Sequence, residues 1–197
     1  MNADYCGDKT IVVIYDANNT KPDGQSNVHN QNRAEQYKRD AADDDTVILV
    51  PIYNMNDFIE EWNKLKYKKY SGGIDELIIL MHGDSDLLAI NGDYMGEGEV
   101  YSFDRLEDAR CVKETLLLSC FGGSYKNGKS VGQRLANKTF SDVTACTAPV
   151  TFMTVLGKTF HYVKGFGLIG RGRWVWFVPY FGESSGCGGG EWRRERA

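Results

Sequence analysis

The sequence predicts an α/β fold, a three-layer α/β/α arrangement around a mostly parallel six-stranded sheet, and two observations carry that expectation. Four short runs, residues 10–15, 46–51, 76–81 and 115–119, are aliphatic or β-branched on both alternating faces. That is the pattern of parallel strands covered by helices on either side. Helical patterns separate the first three, and the order β-α-β-α-β calls for right-handed crossovers that lay helices on the sheet.

Taken in order, residues 27–42 link the first two runs and are rich in polar helix formers. Residues 56–69 place Phe58, Ile59, Trp62 and Leu65 on one face at helical spacing, and Gly72 and Gly73 end that helix. Between Leu87 and Met95, Asn91-Gly92 joins two apolar runs, the signature of a two-residue hairpin. A glycine-rich loop, 121–128, follows the fourth strand. Ser130 with Gln133 three residues on reads as a capping box that opens a helix reaching Lys138. A fifth strand is expected at 142–147 and a sixth at 173–178, after a stretch rich in glycine and aromatics. Residues 1–183 then make the domain, and 184–197 a flexible glycine-rich and charged tail.

The chain has 197 residues, 42% hydrophobic and 25% charged, which suits one compact domain with a real core. Its formal charge of −4 gives no overall pull towards nucleic acid. The basic and aromatic stretch Tyr67-Lys68-Lys69-Tyr70 closes an amphipathic helix and reads as a solvated face. No membrane span is expected, because the run 10–15 is short and flanked by Asp8 and Asp16. Cys6, Cys111, Cys120, Cys146 and Cys187 are odd in number and lack metal-ligand spacing. They read as mostly reduced thiols in a reducing compartment.

Two strand ends carry chemistry. The third strand closes in Leu80-Met81-His82-Gly83 and the fourth in Leu118-Ser119-Cys120-Phe121-Gly122-Gly123. Open α/β sheets place their sites at such carboxyl ends, and neighbouring strands lie about 4.8 Å apart. If these two are neighbours, His82 and Cys120 face one cleft. An imidazolium beside a thiol raises its thiolate fraction, which is the nucleophile. His82 is then the acid that protonates the leaving amine. The backbone N–H groups of Gly83 and Cys120 are the candidate oxyanion hole.

An apolar run ending in His-Gly, followed after a hairpin by an apolar run ending in Ser-Cys, resembles the caspase, legumain, clostripain and gingipain group (clan CD) of cysteine peptidases. The caspase pentapeptide itself is absent, since Phe-Gly-Gly follows Cys120. Between Leu116 and Pro179 the likeness narrows. Leu-Leu-Ser-Cys-Phe-Gly, the helix from Ser130 to Asn137, the strand end at Ala148-Pro149 and Gly172-Arg-Trp are similar to caspase-like domains at the C-termini of bacterial Rhs-type polymorphic toxins. The resemblance implies a thiol protease, a hydrolase of protein or peptide substrates; no cofactor is expected, and no obligatory metal, because the acidic loops 84–86 and 96–104 lack regular oxygen-ligand spacing for calcium. It implies a secreted toxin or effector domain, delivered out of the producing cell into a reducing cytosol and matched by a cognate immunity protein. The fold it implies lines the first substrate pocket with Asp16, Leu118 and Thr147. Asp16 there would favour Lys or Arg at the cleaved bond, unless its carboxylate caps the turn at Asn18.

Three other expectations stand beside this one. Gly123, Gly128, Lys129 and Ser130 fit the phosphate-loop pattern G-x-x-x-x-G-K-S between a strand and a helix, the context that motif demands. Against it, few β-α units remain downstream and no later strand ends in a magnesium-binding Asp. A catalytically inactive scaffold that binds protein through the same fold is a second alternative. Finally, Trp174, Val175, Trp176 and Phe177 are costly to expose on a last strand, so that strand is a candidate homodimer edge.

Overall fold

The computed structural model describes residues 8–18, 28–66, 73–126, 128–155, 158–163 and 173–179. The order of elements is β1 (Thr10–Asp16), α1 (Val28–Asp40), β2 (Thr46–Ile52), α2 (Met55–Lys64) and β3 (Ile74–Leu80). Three short hairpin strands follow, β4 (His82–Gly83), β5 (Leu88–Ile90) and β6 (Asp93–Met95). Then come a 3₁₀ turn at Phe103–Arg105, β7 (Val112–Leu118), α3 (Val131–Thr139), β8 (Asp142–Cys146), the pair β9 (Val150–Val155) and β10 (Lys158–Val163), and β11 (Trp174–Phe177).

The main sheet has six strands in the order β11-β8-β7-β3-β1-β2. Every neighbouring pair is parallel except β8 with β11. This is the mostly parallel α/β sheet that the aliphatic runs predict. Alternation along the strands sorts the core into two faces. Val12, Ile14, Leu77, Ile79 and Leu117 pack with α2 and α3, whereas Val13, Tyr15, Ile78, Leu80 and Leu118 pack with Ala34 of α1.

The helices differ in how they earn their place. On α2, Met55, Phe58 and Trp62 are wholly buried, each worth about 1.5–3 kcal/mol of apolar transfer. Asn54 caps its start, Oδ1 accepting from the Asp57 N–H at 2.9 Å. Lys64 ends the helix, short of the expected 69, because the Leu65 N–H turns back to the Trp62 carbonyl; residues 67–72, where the expected end falls, lie outside the described residues. The hairpin at Asn91-Gly92 is present, with φ of 50° and 87°, the left-handed pair that a type I′ turn needs.

Two expectations need correction. The Ser130 side chain makes no capping bond. Its buried hydroxyl donates to the Gly122 carbonyl at 3.1 Å, and Gln133 Nε2 donates to Asn137 Oδ1 and the Val178 carbonyl. Tertiary partners outcompete the local box. Cys111, read as a reduced thiol, is held in a disulfide, whereas Cys120 and Cys146 are free thiols. The stretch after Pro149, to which the sequence assigned no element before the sixth strand, holds the antiparallel β9–β10 pair. The expected tail at 184–197 lies outside the described residues.

Candidate active site

β3 and β7 are adjacent and parallel, and their ladder ends in the pair Leu80 and Leu118. His82 and Cys120 each lie two residues beyond that pair, so they leave the sheet at the same level on strands about 4.8 Å apart. The sheet register therefore fixes their neighbourhood before any side-chain contact is considered.

Each strand end is built differently. His82 starts a small antiparallel sheet, pairing with Ala89 while Gly83 pairs with Leu88. The Asp84 N–H donates to the Leu87 carbonyl at 2.9 Å. Pairs alternate in an antiparallel ladder, so Gly83 sits in a non-bonded pair and its N–H turns away from β5. A Cβ on Gly83 would run into Ser119 Oγ and come within 2.7 Å of the Leu87 carbonyl oxygen. Ser119 is wholly buried and its hydroxyl has no hydrogen-bond partner. The His-bearing strand is thus seated directly on the residue before Cys120, at a contact that admits only glycine.

Cys120 opens a tight turn. Phe121 has φ of 54°, a left-handed conformation that costs a residue with a Cβ. Hydrogen bonds hold it there. The Phe121 N–H donates to the Ala148 carbonyl at 3.1 Å, Gly122 to Ser119 at 3.4 Å, Gly123 to Cys146 at 2.8 Å and Ser124 to Phe121 at 2.7 Å. Ser124 Oγ adds a bond to the Thr147 carbonyl at 3.1 Å. A Cβ on Gly123 would lie 2.9 Å from the Ala145 carbonyl oxygen, so close packing on β8 also requires that glycine. The half-buried Cys120 thiol donates to the Val150 carbonyl at 3.7 Å. Burial, more than any other influence, raises the pKa of the neighbouring Cys146 thiol, which keeps it protonated and inert.

The residues expected to line the substrate pocket are divided by the structure. Thr147 lies beside Gly123 and Ser124 on the wall of a cleft. Leu118 is 1% exposed, inside the apolar cluster that holds Tyr15, Ala17, Ala148 and Val150. Asp16, also 1% exposed, ends β1; its Oδ1 accepts from the Asn18 N–H at 2.9 Å and from Asn18 Nδ2 at 2.7 Å. That is the turn-capping arrangement that the sequence allowed as the alternative.

The loop matching the phosphate-loop pattern is also in view. The Lys129 ammonium pairs with Glu97, and Lys126 pairs with Asp86 at 3.2 Å. The first amides of α3 are taken by protein carbonyls: Val131 N–H donates to Ser85 at 3.0 Å and Gly132 N–H to Gly122 at 2.9 Å. A phosphate cradle needs those amides pointing into open space, so the geometry counts against nucleotide binding. Among the described residues, no group of three or more His, Cys, Asp or Glu side chains is arranged to hold a metal ion, and no helix is long and apolar enough to cross a membrane.

Sequence reasoning missed Ser119 and the contact it makes with Gly83; the glycine after His82 was the available signal, since close approach is one of the reasons to place glycine there. No protein-family model, curated protein or solved structure matches the chain.

Proposed function

We propose that the chain is a cysteine endopeptidase that works through a Cys120–His82 dyad. The observation that carries this reading is the register: both side chains leave adjacent parallel strands two residues beyond the Leu80–Leu118 pair, at the carboxyl edge of the sheet. The locked turn after Cys120 and the glycine-only contact between Gly83 and Ser119 support it, since a dyad needs both partners held in fixed relation.

In this reading the Cys120 thiolate attacks the carbonyl carbon of the scissile peptide. The electron pair moves onto oxygen, and the oxyanion is met by the N–H groups of Gly83 and Cys120. The next three amides, Phe121 to Gly123, are engaged with protein carbonyls and take no part. Collapse of the intermediate breaks the C–N bond while His82 gives its proton to the departing amine. Water then hydrolyses the thioester, with His82 receiving the proton and the thiol leaving restored.

The resemblance to toxin-borne caspase-like domains extends this proposal to a delivered bacterial effector that is neutralised by an immunity protein. The enzymatic core is tested by comparing wild type, Cys120→Ala and His82→Ala on a mixed peptide library read by mass spectrometry. Cleavage by wild type alone is expected, with His82→Ala slower by roughly 10²–10⁴-fold. Equal cleavage by all three, or by none, contradicts the proposal.

A further inference from the structure

We infer that Lys126 and Lys129 are positioning residues that clip the arm carrying His82 onto the loop carrying Cys120, by way of Asp86 and Glu97. This rests on the peptidase reading and names what joins the two halves of the dyad beyond the sheet.

Two like-charged pairs meet here. Lys126 and Lys129 sit directly opposite each other across a tight turn. The Lys126 N–H donates to the Lys129 carbonyl at 2.8 Å, and the Lys129 N–H to the Lys126 carbonyl at 3.0 Å. Residues that exchange both bonds have Cα atoms about 5.5 Å apart, so two ammonium groups leave one short turn together. Facing them is the β5–β6 hairpin, which pairs Leu88 with Met95. Asp86 and Glu97 each lie two residues outside that pair, so the same register sets two carboxylates side by side at the open end of the hairpin. Like charges directly opposite destabilise a strand pair. Each pair relieves the other: Lys126 Nζ lies 3.2 Å from the Asp86 carboxylate, Lys129 pairs with Glu97, and Arg134 approaches Glu97 at 4.0 Å from α3.

The contacts close a ring. At its root the β3–β7 ladder sets His82 and Cys120 at one level. At its tip one ion pair holds each limb of the hairpin, and the Val131 N–H donates to the Ser85 carbonyl at 3.0 Å. Between root and tip, β4 ties His82 to β5, and the bonded turn from Phe121 to Ser124 stiffens the path from Cys120.

The side chains of Lys126, Lys129 and Glu97 are 52%, 41% and 66% exposed, and ion pairs so exposed add little to folding stability. Their effect falls on where the arm sits, not on whether the domain folds. A dyad is sensitive to that, because ångström-scale displacement costs rate steeply. Lys129, the lysine of the phosphate-loop pattern, serves the protein's own carboxylate in this arrangement.

The test compares full-length wild type, Asp86→Lys, Lys126→Asp and the exchanged double variant on a peptide that wild type cuts. Each single variant sets like charges together and is expected to lower kcat about tenfold, with KM and the urea midpoint little changed. The double variant rebuilds the pair in reverse and is expected to recover most of kcat. Four equal kcat values, or a double variant as slow as the singles, overturn the inference alone. A loss of kcat that follows a loss of urea midpoint overturns it in favour of a purely structural role. No cleavage of any peptide by wild type overturns the peptidase reading and this inference with it.

Discussion

The two ends of the β3–β7 ladder make an instructive pair. At the carboxyl end the shared register brings out His82 and Cys120 together, above the Gly83–Ser119 contact. At the amino end the same register sets Glu76 opposite Glu114, two carboxylates side by side on one face. Asp75, on the alternate phase, is ion-paired with Lys113. Close cross-strand like charges destabilise, yet the ladder is anchored between them by Leu77, Ile78 and Ile79, all wholly buried. The interior apolar pairs set the register, and both ends inherit it. A one-residue slip would reverse every side chain and bury the glutamates.

The largest expected effect breaks the carboxyl end. Gly83→Ala drives a Cβ into Ser119 Oγ and towards the Leu87 carbonyl. Backbone is one of the obstacles, so His82 must shift relative to Cys120. Peptide cleavage is expected to fall about a hundredfold, since misplacement by an ångström has costs of that order, with a stability loss of roughly 1–3 kcal/mol in urea unfolding. Full activity in a normally folded Gly83→Ala protein would show that this contact does not position the dyad.

A smaller effect sharpens the amino end. Burial first, and the facing Glu114 second, hold the Glu76 carboxyl above its ordinary value. A folded-state pKa raised above the unfolded one means that the native state holds the proton more tightly. The contribution is therefore favourable in acid and is lost as pH rises through the folded value. Glu76→Gln is expected to stabilise the protein by roughly 0.5 kcal/mol at neutral pH, a modest figure because the carboxylate is partly solvated. The gain should vanish as pH falls below the folded-state value of Glu76. Urea midpoints across pH 3–8 check this, and a gain that persists unchanged into acid would assign the effect to something other than charge.

The same contrast explains what was legible in the sequence. The first four parallel strands, β1, β2, β3 and β7, were readable because both faces are covered, leaving unbroken aliphatic runs. His82 and Cys120 were readable because each follows such a run at the same phase. What stayed hidden depends on neighbours distant in sequence. Ser130 looked like a helix cap, but its hydroxyl is claimed by Gly122 in the preceding turn. β9, Val-Thr-Phe-Met-Thr-Val, lacks the regular alternation of a strand with one solvated face, and the short alternating run Thr159-Phe160-His161-Tyr162 of β10 sits within a glycine- and aromatic-rich region that masks it. Asp16 offered either a charged pocket or a turn, and the structure places Asn18 on its carboxylate. The Gly123 packing against Ala145 and the cleft beside β11 depend on β8 and β11 meeting, which no local pattern announces.

The central claim is that register pairs His82 with Cys120 and makes that thiol the reactive one. A peptidyl electrophile incubated with wild type and His82→Ala, with adducts mapped by mass spectrometry, tests it directly. The expected result is one adduct, on Cys120, formed on the order of a hundred times more slowly in His82→Ala, with the buried Cys146 unmodified. Equal rates in the two proteins, or labelling of Cys146 in preference to Cys120, would contradict it.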